Sequence, residues 1–185
     1  MLDISVAYNK YQYLGNEFLT WLWFVMETDP ALLTDADPEL GDLHIGNRVV
    51  LERTLNDDAI ETITIKGDDA GLEEGMMALG KGAMVTEMNL VYSSGDHEWR
   101  FSIKGESLNF SSVKAPPTEA LENKSDVEGA ILEKVYLYER VFTFVDALYA
   151  RFLDLRVKDD WGRDIVPRMR AWITAAATAQ VQAGD

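Results

Sequence analysis

His44 and His97 are the only histidines in the chain, and there is no cysteine at all. A thiolate nucleophile, a thiolate zinc site and a disulfide framework are therefore excluded. Asp96-His97-Glu98 is the one local cluster that sets oxygen and nitrogen ligands side by side, an arrangement a metal site would need. A hairpin turn accounts for it equally well. Asp68-Asp69 and Asp159-Asp160 are paired carboxylates of the kind that hold magnesium, but acids at helix starts are also favoured by the helix dipole. Glu98 with Arg100 gives only a distorted echo of the Glu-x-Lys of restriction-type nucleases. No serine lies beside a plausible histidine base. Gly80-Lys81-Gly82 lacks both the upstream glycine spacing and the following Ser/Thr of a phosphate-binding loop. These residues point to a non-catalytic binding protein with no cofactor and no metal.

The remaining chemistry is that of the cations, set in a chain of 185 residues with a formal charge of −15. Such a charge repels a polyanion at long range, so phosphate binding requires Lys and Arg gathered on one surface. The distribution is uneven: residues 1–150 hold 11 Lys/Arg against 27 Asp/Glu, and residues 151–185 hold 6 against 5. Arg151, Arg156, Lys158, Arg163, Arg168 and Arg170 form the densest basic stretch, which also reads as a solvated helix face pairing with Asp154 and Asp164. Arg100 and Lys104 lie two steps apart on one side of a strand, opposite Trp99, Phe101 and Ile103. They are placed to meet phosphates or to pair with acids such as Glu87 on a neighbouring strand. Trp21, Trp23 and Trp99 fall in segments expected to be buried, whereas Trp161 and Trp172 lie beside the basic tail, where base stacking is an alternative to packing.

The elements that would position these groups follow from hydrophobic period. With 47% hydrophobic residues and five tryptophans the chain has ample material for a core, and its length favours a single domain over 1–185. Phe18 to Met26 is apolar all round, which predicts a buried helix starting at Asn16. That run is about half the ~20 residues a membrane span needs. Met1 to Lys10 lacks the basic and apolar regions of a secretory signal, so a cytoplasmic protein is expected. Thr28 to Gly41, with two prolines and Asp29, Asp35, Asp37 and Glu39, reads as a solvated loop. From His44 the period becomes two: Ile45, Val49 and Leu51, then Ile63 and Ile65, predict two strands joined at Asn56-Asp57-Asp58. Asp68 to Gly80 predicts a short helix. Met84, Thr86, Met88, Leu90 and Tyr92 on one face, then Trp99, Phe101 and Ile103, predict a hairpin turning at Ser93 to Asp96. Ser111 to Ser125, centred on Pro116-Pro117, reads as a linker. From Asp126 to Val157, Ile131, Val135, Tyr138, Phe142, Val145, Tyr149 and Phe152 recur at alternating spacings of four and three, which predicts one long helix. A second stripe of Leu137, Val141, Phe144, Leu148 and Leu155 widens its apolar surface. The tail beyond Pro167 is helical in propensity. The expected fold is α+β: a mainly antiparallel sheet of about four strands or more, within about 41–112, covered by helices, with a helical C-terminal part over about 126–180.

Several segments taken together resemble the recombination-associated protein RdgC family of bacteria, in a short, divergent form. They are LGNEFLTWLWF from Leu14, ITIKG from Ile63, ALGKG from Ala78, EWRFSIKGESLNFSSVKAPP from Glu98 and YERVFTFVDALYARFLDLR from Tyr138. The resemblance implies a dimeric, ring-like protein of the cytoplasm and nucleoid that binds double-stranded DNA without sequence preference and restrains recombinase activity on it. Typical members carry an additional N-terminal half, so a closed ring is not expected of this chain. At the glycine-lysine pair, where relatives continue with further basic residues, Lys81 stands alone. The DNA-contacting residues expected on this basis are Lys81, Arg100, Lys104, Lys114, Arg163, Arg168 and Arg170, through phosphates and not base edges. A protein-interaction module, an inhibitor or adaptor that ignores DNA, is the alternative. The two apolar stripes of the long helix favour association under either reading, with a homodimer or a partner subunit covering what the chain itself leaves exposed.

Overall fold

The computed structural model describes residues 4–55, 59–67, 70–118 and 127–183. Its centre is a five-stranded, wholly antiparallel sheet in the order β2-β1-β3-β4-β5. The strands are β1 (Leu40–Thr54), β2 (Ile60–Lys66), β3 (Met84–Ser94), β4 (His97–Lys104) and β5 (Asn109–Lys114). The helices are α1 (Ile4–Thr28), a single turn α2 (Ala31–Thr34), α3 (Ala70–Gly80), the 30-residue α4 (Val127–Arg156) and α5 (Val166–Ala183), the last entered through a π-helical turn at Trp161–Ile165. The α+β expectation holds. The expected turn at residues 56–58, the paired acids Asp68-Asp69, the last part of the expected linker over 119–125 and the expected helix start at Asp126 lie outside the described residues.

One apolar layer fills the space between sheet and helices. Phe18 through Val25 of α1 are buried on every side, as an all-apolar helix requires. They meet Val49 and Leu51 of β1, Val85, Met88, Leu90 and Tyr92 of β3, and Trp99, Phe101 and Ile103 of β4. The second half of α4 lies beside them through Leu137, Val141, Phe144, Leu148 and Phe152. Tyr92 stacks between Phe144 and Trp99, at ring-centroid distances of 4.2 and 4.9 Å. The indole of Trp99 donates to the Leu137 carbonyl at 2.8 Å, pinning α4 to β4. Glu27 accepts from the indoles of both Trp23 and Trp172, which fastens α5 to α1.

Four expectations are corrected. The first helix does not begin at Asn16 but continues through it. Gly15 is there for contact, since a Cβ would stand 1.8 Å from the carbonyl oxygen of Gly105, so two backbones touch where no side chain fits. The Thr28 to Gly41 stretch is not simply solvated: it holds α2 and the buried Asp37. Ser111 to Lys114 belong to β5 and not to a linker; Pro116 and Pro117 follow the strand, where a missing N–H costs no ladder bond. In β3, Val85 and not Thr86 lies on the core face, because the chain bulges between the pairs Val50↔Glu87 and Leu51↔Val85. A bulge inserts one residue and reverses the parity of everything beyond it. The buried Thr20 hydroxyl accepts the Val85 N–H at 3.2 Å, which satisfies a donor beside the bulge.

Candidate functional site

The helices stack on the inner face of the sheet, and the outer face carries a group of cations from four strands. In β4, Arg100, Ser102 and Lys104 alternate with the buried Trp99, Phe101 and Ile103, so they point outward. Antiparallel register places Lys114 directly opposite Arg100 and Lys66 directly opposite Arg48. Two like-charged pairs thus stand on one face of one sheet. Opposed like charges destabilise a strand pair unless an anion lies near them. Glu87 meets Arg48 at 3.3 Å and Glu98 meets Arg100 at 2.9 Å, while Lys66, Lys104 and Lys114 make no ion pair among the described residues.

Between these pairs lies a basin of about 740 Å³. Arg48, Arg100, Lys114 and His44 stand around it together with the acid Glu87, and Val91 lines it as well. It exists because β1 leaves the ladder between Ile45 and Val49. Gly46 permits this departure: a Cβ there would sit 2.1 Å from the Asn89 side-chain oxygen. Asn89 braces the gap, accepting from the Asn47 N–H at 3.2 Å and donating to the Phe101 carbonyl and the Ser102 hydroxyl at 3.1 Å each. The arrangement suits an anion held by several cations over a short apolar floor. Among the described residues no group of three or more His, Asp or Glu could hold a metal ion, and His44 is engaged with Asp42 at 2.6 Å.

The expected phosphate-contacting residues divide into two groups. Arg100, Lys104 and Lys114 share the outer face. Lys81 lies in the turn just after α3, and Arg163, Arg168 and Arg170 belong to the π-helical turn and α5, which packs on α3 and α1. These four are on the helical side of the sheet. Arg163 pairs with Asp160, Arg168 pairs with Asp164 at 3.7 Å and lies over the Phe24 ring. Trp161 is buried, and Trp172 packs on Trp23 and Phe24. The chain matches no protein-family model and no curated protein. Arg48 and His44 joined the site only in three dimensions. Parity counted from Val49 and Ile65 already set Arg48 and Lys66 opposite the core face, but their pairing required the strand register.

A second polar group ties the sheet to α4. Asp37, almost wholly buried, accepts from the Tyr92 hydroxyl at 2.6 Å and from Arg140 with both oxygens at 3.2 Å. Arg140 also reaches Glu39 at 2.9 Å and Ser94 at 2.7 Å. Burial works against the Asp37 charge, yet the bonds from Tyr92 and Ser94, the Glu39 N–H and the Arg140 charge outweigh it, so its pKa lies below the usual value. Burial and the Asp37 bond raise the Tyr92 pKa. Arg140 is raised as well: burial opposes the charge, but bonds to Tyr92 and Tyr136 and attraction to Asp37 prevail. Every shift leads away from neutral pH, so the Asp37 carboxylate and the Arg140 guanidinium stay charged and the Tyr92 phenol stays neutral, a polar pin between sheet and helix.

Proposed function

We propose that the chain is a non-catalytic protein that takes double-stranded DNA by its phosphates on the outer face of the sheet and, as the RdgC resemblance implies, acts on recombination in the nucleoid. The observation that carries the reading is the opposition of Arg100 to Lys114 and of Arg48 to Lys66 on that face. Glu98 and Glu87 already answer Arg100 and Arg48, so a phosphate there would pair with Lys114 and Lys66, and the release of its counterions would drive binding. Among the described residues the face is a strand surface with no projecting helix to enter a groove, so binding through the DNA backbone and an indifference to sequence go together. Arg163, Arg168 and Arg170 do not share this plane and stay clear of the duplex.

Fluorescence anisotropy with two unrelated duplexes over a salt series tests the reading. Affinity should be alike for both and should fall with salt. Replacing Arg100, Lys104 and Lys114 together by alanine should make the log–log slope shallower by ~0.9 for each phosphate that is no longer neutralised. Arg163→Ala, Arg168→Ala and Arg170→Ala should leave it unchanged. No binding to either duplex at low salt removes DNA from the account. A second reading, an interaction module indifferent to DNA, draws on the uncovered start of α4, where Ile131, Leu132, Val135 and Tyr136 are 56%, 62%, 46% and 57% exposed.

A further inference from the structure

Two breaks in the ladder open onto the basin of the outer face. One is the departure of β1 between Ile45 and Val49. The other lies in β5, where the pairs Arg100↔Lys114 and Ser102↔Ser111 set two steps of β4 against three of β5, and Ser112 inside that bulge has a φ of 54°. Left-handed backbone at a residue other than glycine is strained, and such strain gathers at binding sites. Gly46 from the first break and Ser112 from the second line the same space.

Ser102 lines it too, although it is only 7% exposed. Its Oγ accepts from the Asn89 amide at 3.1 Å, and Asn89 is itself fixed by the Asn47 N–H and the Phe101 carbonyl. A hydroxyl that accepts still has its proton to give, and among the described residues no acceptor takes it. A buried donor with no acceptor is costly, and this one borders a cavity. Two further donor groups beside it are unspent. Arg100 gives its Nε to Glu98 at 2.9 Å, which leaves its Nη groups without a partner among the described residues. Lys114, directly opposite Arg100, makes no ion pair among them. Glu87, the acid of the lining, is answered by Arg48 at 3.3 Å.

We infer that the basin is a pocket for the terminal phosphate of a phosphomonoester, held by the Ser102 hydroxyl, the Arg100 guanidinium and the Lys114 ammonium. The inference rests on the phosphate reading of this face and narrows it to one kind of phosphate. A phosphomonoester presents three terminal oxygens and close to two negative charges at neutral pH, an oxygen for each donor group. An internal phosphodiester of a duplex has two free oxygens and one charge, and its two ester links hold it flush with the strand. It can meet the exposed Arg100 and Lys114 but not the buried Ser102. The basin of about 740 Å³ falls within the roughly 300–1,000 Å³ of small-molecule pockets, so there is room for the group that carries the phosphate. The 5′ end of a DNA strand and a free sugar phosphate present the same chemistry.

Calorimetric titration of the full chain in phosphate-free buffer tests the pocket. Inorganic phosphate and ribose 5-phosphate should bind, and dimethyl phosphate, with two free oxygens, should bind roughly tenfold more weakly. K114A and S102A should each weaken ribose 5-phosphate about tenfold, the loss of one hydrogen bond to a charged group, and R163A should not. Because S102A also releases Asn89, K114A, at an exposed residue, carries the test if S102A fails to fold. Duplexes with 5′-phosphate and with 5′-hydroxyl ends distinguish the sources. A phosphorylated end that binds more tightly and is displaced by ribose 5-phosphate assigns the pocket to DNA termini; duplexes that bind alike, or not at all, while ribose 5-phosphate still binds assign it to a free phosphomonoester. Duplex binding with neither inorganic phosphate nor ribose 5-phosphate bound at millimolar concentration overturns the pocket and leaves the phosphate reading standing. Ribose 5-phosphate binding that K114A leaves unchanged, or that dimethyl phosphate equals, overturns it as well.

Discussion

The two faces of the sheet are made from alternate residues of the same strands, yet they obey different physics. On the inner face Tyr92, Trp99, Phe101 and Ile103 are shielded by α1 and α4, and each is fixed by packing and, for the indole and phenol, by one hydrogen bond. On the outer face Arg100 and Lys104 of the same strand are exposed, while Ser102 between them is buried. Burial makes the inner residues costly to change, whereas the outer ones are cheap to change and matter for what approaches them. Stability and binding are therefore separable along one strand.

The largest effect should come from Trp99→Ala, which empties the space against Tyr92 and α4 and should cost about 4 kcal/mol in chemical denaturation. A loss below 1 kcal/mol would show that α4 is not held there. Next comes Arg140→Ala, which leaves the Asp37 charge buried with fewer partners. It should cost about 2–3 kcal/mol, and the loss should be smaller in Asp37→Asn/Arg140→Ala than the sum of the single changes. Tyr92→Phe should cost about 1–2 kcal/mol, since a hydroxyl bonded to a carboxylate is removed while the ring stack stays.

The same group gives the pH dependence. Asp37 titrates lower in the folded chain than unfolded, so its contribution is complete above the usual carboxylate range and is lost as pH falls through the folded value. Tyr92 titrates higher, so its contribution is complete below about pH 10 and is lost as pH rises beyond that. Denaturation midpoints of the wild type should decline at both extremes, and Tyr92→Phe should lack this residue's share of the alkaline decline. The smallest effect on stability should be that of Arg100→Ala/Lys114→Ala, within about 0.5 kcal/mol of the wild type. If that pair proved strongly destabilising, the outer face would be structural and not a binding surface.

Much of this was legible in order and period. The alternation in Trp99, Phe101 and Ile103 located β4 and both of its faces, and the all-apolar Phe18 to Met26 located a buried helix, because period and burial are tied by geometry. The four-three recurrence from Ile131 likewise marked α4 over its whole length. β5 was hidden, since Ser111 and Ser112 are weak strand formers and the strand leans on its neighbour, whose pairing no local window contains. Asp37 was hidden for the same reason: an acid in a Pro-rich acidic stretch looks solvated until Arg140 and Tyr92, far along the chain, are brought to it.

The sequence by itself determined the α+β class, the core aromatics, the lack of thiol chemistry and the outward parity of Arg100 and Lys104, all of which depend on residue type and short-range spacing. Only the tertiary structure decided which cations stand together. Strand order and register set Lys114 against Arg100 and Lys66 against Arg48, while the packing of α5 on α3 and α1 carried Arg163, Arg168 and Arg170 to the other side. Charges on separate elements meet through long-range pairing, and that pairing is fixed by the burial of other residues and not by the charges themselves.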